Sequence, residues 1–356
     1  MRMALTLAEK GKGFTSPNPM VGAVVVKGNR VVGRGYHKKA GSPHAEVIAL
    51  EEAGSRAKGA TLYITLEPCV HYGRTPPCLP RIIRAGIKKV VVAMEDPNPL
   101  VKGKGIKALR EEGVEVVEGV EEEKARLLNE YYLKYITTRT PFVILKWAMS
   151  MDGKIATFTG DSRWISGEKA RIFVHELRAE VDAVLVGVGT VKRDDPLLNV
   201  RLSRRVRQPL RIVIDPRLEI PPKARILGEE GGKVIIVCKE GVGREKQEAL
   251  QRKGVEVITF SGERLSISYL LKVLGEREVT SLLVEGGERV FTSFLEERMV
   301  DKIYVIVSPL LIGGDSSPTP FGGKGFSRIE ECLRLRKVSW KEKEGDFIFC
   351  GYLEEG

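Results

Sequence analysis

One histidine, two cysteines and one glutamate in the first quarter of the chain could together form a catalytic zinc centre. They are His44, Glu46, Cys69 and Cys78. Three nitrogen or sulfur ligands that leave a fourth position open are typical of a catalytic zinc ion. A carboxylate close to the histidine suits a proton shuttle for a zinc-bound water. We therefore predict His44, Cys69 and Cys78 as metal ligands and Glu46 as a catalytic residue.

The spacing of these residues also leaves a chance arrangement open. Eight residues separate Cys69 from Cys78, which is not a zinc-finger spacing. A histidine near two cysteines is common without a metal, so the spacing alone does not decide between the two interpretations.

The elements that must position these ligands alternate between strand and helix, which predicts an α/β layered domain. His44 and Cys78 begin helices and Cys69 follows a strand, and helix N-termini stabilise thiolates. The predicted helices cover residues 3–12, 44–53, 78–85, 106–111 and 121–136, and the predicted strands cover 21–26, 30–36, 60–66, 90–93 and 114–117.

The second half repeats the alternation of strands and helices. A Thr/Pro stretch at 137–141 marks a boundary, which predicts two domains, residues 1–140 and 141–356. Beyond it we predict helices at 168–178, 244–252 and 288–296, and strands at 142–149, 182–187, 211–214, 233–237, 255–259, 281–284, 303–307 and within 335–353.

Two features of the second half could bind an anion or substrate. The glycines of the stretch 285–289 lie between a strand and a helix, where backbone N–H groups can face a phosphate, although a plain turn is equally consistent. The stretch 187–189 fails the dinucleotide fingerprint because Lys192 stands where the third glycine is required. Lys146 lies inside an apolar strand and should face a site, unless it is an edge lysine in solvent.

Composition restricts the class of protein. The 356 residues are 42% hydrophobic and 29% charged, which is ordinary for a soluble globular chain. No apolar run is long enough to span a membrane and no signal peptide is recognisable, so we expect a cytoplasmic protein without a membrane partner. A net charge of +11 from dispersed basic residues favours small phosphorylated metabolites over nucleic acid. We expect Cys238, Cys332 and Cys350 to be buried reduced thiols.

Motifs of the first half resemble the deaminase domain of the bifunctional riboflavin-biosynthesis deaminase/reductase family. They are residues 17–25, 35–37, 43–47, 66–78, 96–99 and 103–105. The generic cytidine-deaminase signature has two residues between its cysteines, whereas the insert of eight is specific to the riboflavin type. The resemblance implies a cytidine-deaminase-like three-layer α/β/α fold and a substrate pocket formed by Asn18, His37, His71 and Arg74. Turn capping by Asn18 and simple solvation of Arg74 stay open.

Motifs of the second half resemble the reductase domain of the same family, which is similar to dihydrofolate reductase in its α/β fold. They are residues 146–154, 162–166, 175–179, 189–196 and 285–287. The resemblance implies NADPH binding by Ala148, Trp164, Thr190, Asp194, Gly287, Glu288, Arg289, Val290, Phe291, Thr292 and Ser293. Because Lys146 lies inside the apolar strand and should face this site, we predict that it is a catalytic residue. It implies substrate binding by Ser162, Arg178, Leu198, Arg201 and Glu285, and arginines suit the phosphate of the substrate.

The resemblance implies a bifunctional enzyme with Zn²⁺ and NADPH as cofactors. Its first domain would deaminate 2,5-diamino-6-(5-phosphoribosylamino)pyrimidin-4(3H)-one, and its second would reduce the ribosyl group of 5-amino-6-(5-phosphoribosylamino)uracil to ribityl. A homodimer or tetramer is expected from the same resemblance. Two alternatives are a tRNA or nucleoside deaminase with an accessory domain, and a non-catalytic zinc-stabilised binding protein. The long cysteine spacing argues against the first and Glu46 against the second.

Overall fold

The computed structural model describes residues 1–203 and 206–354. The chain forms two compact units, Met1–Arg139 and Thr140–Gly356. Within the described residues, no helix combines the length and the apolar character that crossing a membrane requires.

The first unit is built on a sheet of five strands within the described residues, in the order β2-β1-β3-β4-β5. The strands are β1 (Gly22–Lys27), β2 (Arg30–Tyr36), β3 (Thr61–Ile64), β4 (Lys89–Val92) and β5 (Glu115–Val117). The helices are α1 (Arg2–Glu9), α2 (Ala45–Ala53), α3 (Leu79–Arg84), α4 (Lys104–Glu111), α5 (Glu122–Leu128) and α6 (Glu130–Thr138).

Helices cover both faces of this sheet, which confirms the predicted three-layer fold. One apolar cluster packs α2, α3 and α4 against the strands through residues such as Ala49, Ile82 and Leu109. A second cluster on α1, α5 and α6 includes Leu5, Ala125 and Tyr132. The apolar strand residues therefore lie between two helical layers.

Two glycines in β2 allow α2 to approach the sheet closely. A Cβ atom on Gly33 would lie 2.0 Å from the Ala49 carbonyl oxygen, and one on Gly35 would lie 2.1 Å from that of Ala45. Only hydrogen fits at these positions, because any side chain would overlap the helix backbone. This contact fixes the start of α2, where His44 and Glu46 lie.

The predicted single helix over residues 121–136 is wrong, because it is divided at Asn129 into α5 and α6. The Asn129 side chain is buried, accepts a hydrogen bond from the Met20 backbone N–H at 2.7 Å and donates to the Met20 carbonyl at 3.0 Å. A side chain that bonds to a distant backbone segment competes with the regular helix at this point.

The second unit contains a larger sheet with nine strands among the described residues, in the order β10-β9-β8-β7-β11-β6-β12-β14-β13. The strands are β6 (Phe142–Ser150), β7 (Ala183–Gly187), β8 (Leu210–Ile214), β9 (Val234–Lys239), β10 (Glu256–Phe260), β11 (Ser281–Gly286), β12 (Lys302–Ser308), β13 (Leu335–Lys343) and β14 (Asp346–Leu353). The helices are α7 (Glu168–Glu180), α8 (Val188–Asp194), α9 (Arg244–Arg252), α10 (Ile267–Glu276) and α11 (Glu288–Glu296).

The strands from β10 to β12 in this order are parallel, and β14 and β13 complete the sheet in antiparallel pairing. Parallel strands need both faces covered, which explains their nearly continuous apolar sequences. Ligands of open α/β sheets bind at the carboxyl ends of such strands. In this unit, the ends of β6, β7 and β11 lie side by side.

Helices α8 and α10 and two cysteines differ from the sequence-based expectation. Helix α8 was not predicted; it is only seven residues long and includes Gly189, which lowers helix propensity. Helix α10 was not predicted, although its buried leucines Leu270, Leu271 and Leu274 face the core and Ser266 caps its N-terminus. Each of the five cysteines, all in the described part, is a free thiol. Cys238 is buried as predicted, but Cys332 and Cys350 are only half-buried. Cys332 follows a short surface turn, and Cys350 on β14 is paired with the exposed strand β13.

Candidate metal centre and cavity of the second unit

Three predicted ligands meet in the first unit. His44 is the N-cap of α2, Cys78 is the N-cap of α3, and Cys69 follows β3. The Nδ1 atom of His44 lies 3.0 Å from Sγ of Cys78 and 3.6 Å from Sγ of Cys69, and the ligand atoms all lie within 4.8 Å of one another. Loops that are far apart in sequence therefore present one nitrogen and two sulfurs to one point, which is a zinc donor set.

The pKa values of the two thiol groups are shifted in opposite directions. A hydrogen bond from Cys78, with the nearby His44 imidazole, lowers the pKa of the Cys69 thiol to about 4. The same hydrogen bond, together with burial, raises the pKa of Cys78. One ligand is thus already a thiolate, and the other gives up its proton when a cation binds.

Glu46 lies in the first turn of α2, two residues after His44. Its side chain is buried, and its Oε2 atom has no hydrogen-bond partner among the described residues. Burial raises the pKa of Glu46, because desolvation disfavours the charged form. A buried carboxyl group with an unpartnered oxygen and a raised pKa is suited to accept and release a proton, which is the role predicted for it.

Thr75 was not among the residues predicted from the sequence. Its hydroxyl lies 2.9 Å from Nε2 of His44, the ring nitrogen that faces away from the cysteines. A partner on the second nitrogen fixes the ring orientation and the tautomer of a metal-binding histidine. Thr75 belongs to the eight-residue insert between Cys69 and Cys78, and its position in that insert was the only available signal.

Glu67 anchors the loop that carries Cys69, and the sequence motifs did not identify this role. Its buried carboxylate accepts four backbone N–H groups, from Asp96, Gly103, Gly105 and Ile106, at 2.8–3.2 Å. These bonds connect the end of β3 to the start of α4. The conformation around Cys69 is therefore fixed by a network of charge-assisted hydrogen bonds.

The four predicted pocket residues differ in their surroundings. Asn18 Nδ2 lies 3.0 Å from Nε2 of His37, whose ring stands perpendicular to that of His44 at 5.3 Å between centroids. Burial lowers the pKa of His37 and keeps it neutral. Nδ1 of His71 is buried without a partner in the described part of the chain, and Arg74 is exposed.

The second unit has a cavity of about 1040 Å³ at the carboxyl ends of β6, β7 and β11. Most residues predicted for the reductase site line it: Lys146, Ala148, Ser162, Thr190, Asp194, Glu285 and all of 287–293. The volume suits a dinucleotide together with a small substrate. Gly287 has a φ of 98° and leads into α11, which presents free N–H groups to the cavity.

A buried charge network closes one wall of the cavity. The Glu285 carboxylate accepts hydrogen bonds from Lys146 Nζ at 3.2 Å and from two nitrogens of Arg178 at 2.5 and 2.9 Å. Burial alone would raise the pKa of Glu285, but the Arg178 and Lys146 cations lower it to about 2. The side chain of Lys146 is only 12% exposed, which rules out an edge lysine in solvent.

Four predicted residues lie outside the cavity lining, and one of them is Arg178 of the charge network. Trp164 is 69% exposed, with the Arg171 guanidinium 4.6 Å from its ring centroid. Leu198 is buried, and Arg201 donates to Oδ1 of Asn199 at 2.7 Å. Arg178 donates to the carbonyl of Asn199 at 3.1 Å, so the segment 198–201 is held next to the charge network.

His175 is a further residue of this region that the predicted site did not include. Its Nδ1 accepts the backbone N–H of Arg201 at 3.3 Å. The pKa of His175 is lowered to about 4, mainly by burial and to a smaller extent by the positive charges of Arg178 and Arg201. The imidazole is therefore neutral at physiological pH and adds no charge to this basic segment.

Both units match known families. Residues 1–94 match the cytidine and deoxycytidylate deaminase zinc-binding region, and residues 141–349 match the RibD C-terminal domain. The riboflavin biosynthesis protein RibD of Aquifex aeolicus is 52% identical over 348 residues, which cover 98% of this chain and 96% of that protein. The protein of the same name from Escherichia coli is 40% identical, covering 89% and 88%.

Solved structures show the same arrangement of elements. Acinetobacter baumannii RibD, form 1, has a TM-score of 0.90 at 39% identity and covers 99% of this chain and 98% of that one. The deaminase/reductase structure from Thermotoga maritima has a TM-score of 0.87 at 39% identity, covering 99% and 97%. These similarities extend over both units.

The cofactors follow from the same findings. The His/Cys/Cys donor set in a deaminase zinc-binding region, and a RibD reductase domain with a dinucleotide-sized cavity, correspond to Zn²⁺ and NADPH. The chain therefore belongs to the RibD family and is a bifunctional riboflavin-biosynthesis enzyme, with a hydrolytic deaminase and an NADPH-dependent reductase.

Proposed function

We propose that the metal centre of the first unit deaminates 2,5-diamino-6-(5-phosphoribosylamino)pyrimidin-4(3H)-one. The observation that carries this proposal is the buried Glu46 carboxyl, whose Oε2 has no partner among the described residues, beside three zinc ligands. The similar protein from Thermotoga maritima is a diaminohydroxyphosphoribosylaminopyrimidine deaminase, which supports this substrate. Zinc supplies a water of lowered pKa at such a site.

The residues around the centre divide the remaining work. Glu46 takes one proton of the attacking water and delivers it to the ring nitrogen. It then transfers the second proton, from the newly added hydroxyl group, to the departing amine, so that the carbonyl forms and ammonia leaves. Asn18 and His37, which are hydrogen-bonded to each other, hold the pyrimidine edge. His71 offers its Nδ1 atom, which has no partner within residues 1–203 and 206–354. In this proposal the exposed Arg74 binds the substrate phosphate.

The test is Glu46→Gln, which keeps the shape of the side chain and removes its acid–base function. Ammonia release should fall by at least about 100-fold, the usual contribution of a general acid–base group. Zinc content and NADPH oxidation with the deaminated substrate should stay at the parent level. Deamination at a parent-like rate would remove Glu46 from this role.

We propose that the cavity of the second unit reduces 5-amino-6-(5-phosphoribosylamino)uracil. The observation that carries this proposal is the Lys146–Glu285–Arg178 network in the wall of the cavity. NADPH, when bound, supplies a hydride. As C1′ receives that hydride and its bond to the ribose ring oxygen opens, Lys146 delivers a proton to the oxygen, and a ribityl chain results. The Arg178 guanidinium binds the Glu285 carboxylate, which in turn positions Lys146.

Lys146→Met tests the reductase assignment, since Met keeps the length of the side chain and removes its proton. Loss of nicotinamide absorbance with the uracil substrate should slow by about 100-fold or more. Ammonia release by the first unit is the internal control. A reductase rate that is insensitive to this change would contradict the role of Lys146.

We propose that a second copy of the chain covers an apolar face of the large sheet. Strands β12, β14 and β13 line a hollow of about 580 Å³ whose lining residues are all apolar, or glycine or cysteine, including Val305, Val338 and Phe349. Trp340 on β13 is 63% exposed nearby. Exposed apolar surface of this kind marks interfaces, and a two-fold axis would bury the same patch on both copies.

Light scattering across a range of concentrations tests this pairing. The parent should have at least twice the monomer mass, and Trp340→Glu should shift it toward the monomer, because a charge is costly in a buried interface. Lys341→Glu, on the same strand, is the matched control. A monomeric parent would contradict the proposal.

We further propose that the enzyme works in the cytoplasm on small phosphorylated pyrimidines. The five free cysteines fit a reducing compartment, and the net charge of +11 fits anionic substrates. Fractionation of the source cells with an antibody against the chain tests the location, and recovery in the membrane pellet would contradict it.

A further inference from the structure

An exposed aspartate outside the cavity organises a loop of the second unit. Asp152 lies in the turn after β6, and its carboxylate accepts the backbone N–H groups of Ile312 and Gly313 at 3.1 and 2.7 Å. The Ser150 hydroxyl donates to the same carboxylate at 2.6 Å. An ionised acceptor makes these hydrogen bonds stronger than neutral ones, and the same bonds lower the pKa of Asp152 to about 2.

The rest of this turn binds the same loop, residues 310–323, which we call the covering loop. The Met151 N–H donates to the Leu310 carbonyl at 2.8 Å. Lys154 Nζ donates to the Ser317 carbonyl at 3.2 Å, and the Ile155 N–H donates to that of Pro318 at 2.9 Å. The first half of the covering loop is thus attached to the turn along its length.

The second half of the covering loop reaches the cavity. Pro318 and Gly323 are among the residues that line it. The Gly322 N–H donates to Oγ1 of Thr292 on α11 at 3.0 Å. The Phe321 ring packs against Trp147 of β6, with 5.0 Å between centroids. The loop therefore connects the Asp152 turn to the helix that is proposed to bind the dinucleotide.

We propose that Asp152 is a positioning residue for NADPH binding, which acts through the covering loop and not by contact with the cofactor. This inference rests on the proposed use of the cavity by NADPH. The carboxylate holds Ile312 and Gly313, and thereby fixes where Pro318 to Gly323 lie against α11. Without these hydrogen bonds, the covering loop samples other positions. NADPH must then order the loop when it binds, which weakens the affinity for NADPH.

Asp152→Ala tests this in the full-length chain. The KM and Kd for NADPH should rise about tenfold, the factor that corresponds to loss of hydrogen bonds to a charged group. The KM of the pyrimidine substrate, and kcat at saturating NADPH, should change by no more than about twofold. Asp152→Asn, which keeps one acceptor oxygen, should give an intermediate shift. Asp315→Ala removes an exposed charge from the same loop and should have no effect.

Two further variants separate the possible failures. Ile312→Pro removes the donor on the loop side, and combined with Asp152→Ala it should add less than the sum of the single effects. Thr190→Asp places a negative charge in the cavity lining and should itself raise the NADPH Kd. If Thr190→Asp weakens NADPH binding and Asp152→Ala does not, the positioning role is wrong. If neither variant affects NADPH binding, the assignment of this cavity to NADPH is wrong, and the positioning role of Asp152 is rejected with it.

Discussion

At the scale of single residues, the ionisation of Glu285 should make the free energy of unfolding depend on pH. Arg178 and Lys146 hold its pKa at about 2, below its ordinary value of 4.5. Its stabilising contribution is therefore complete above pH 4.5 and is lost as the pH falls toward 2. Glu285→Gln should lower the free energy of unfolding by about 3 kcal/mol at pH 7, because two buried cations lose their partner.

Urea unfolding at pH 7, 5 and 3 measures this difference. The difference in unfolding free energy between the parent and Glu285→Gln should stay constant from pH 7 to 5 and become smaller at pH 3. Glu276→Gln, on the exposed side of α10, is the control and should change stability little at any pH. An equal loss at all three pH values would show that the ionisation of Glu285 is not what stabilises the fold.

Thr75 gives the second prediction at this scale. Thr75→Val keeps the shape of the side chain and removes the hydroxyl that lies 2.9 Å from His44 Nε2. Loss of such a partner should weaken zinc binding by about 10- to 100-fold, measured by competition with a chromogenic chelator. Thr137→Val, at an exposed hydroxyl on α6, is the matched control. Unchanged zinc affinity would mean that the hydroxyl does not orient the imidazole.

Candidate site residues with a distinctive chemical type could be predicted from the sequence. The zinc ligands, Glu46 and Lys146 are recognisable because few other side chains could serve. Thr75, Glu67 and His175 were not recognisable, since each acts through contacts that depend on the path of a distant backbone segment. A threonine, a glutamate or a histidine in such a position has no distinctive pattern before that path is known.

At the scale of elements, the contact of β2 with α2 is the most constrained. Gly35→Ala would place a methyl group 2.1 Å from the Ala45 carbonyl oxygen, beside Glu46. The expected cost is about 1–3 kcal/mol of stability, as for overpacking elsewhere, with a loss of deaminase activity. Val31→Ala, at a partly exposed position of the same strand, is the control for strand propensity. A fully stable and active Gly35→Ala variant would contradict the close approach.

Strands and helices with clear periodicity were predictable, and two helices show where periodicity is insufficient. The pattern over 121–136 is helical throughout, yet Asn129 interrupts it through its bonds to Met20, a residue far away in sequence. Helix α10 is rich in leucine, and its pattern resembles a buried strand over a short window. In both, tertiary contacts decided what local sequence left open.

For the whole molecule, removal of the metal should abolish the deaminase activity and leave the reductase activity intact. All three zinc ligands belong to Met1–Arg139, and every residue that lines the large cavity belongs to Thr140–Gly356. Dialysis against a chelator should therefore abolish ammonia release and leave NADPH oxidation with the uracil substrate intact. Zinc added back should restore deamination. A reductase rate that falls in proportion to metal content would contradict this separation.

The chain is continuous through Arg139 and Thr140, and this continuity fixes the ratio of the two catalytic units in the cell. Because one polypeptide carries both catalysts, translation delivers them in a one-to-one ratio at every expression level. The cell can then adjust the relative flux through the two reactions only through turnover numbers, cofactor supply and substrate levels. A change in gene dosage scales both steps together and leaves their balance unchanged.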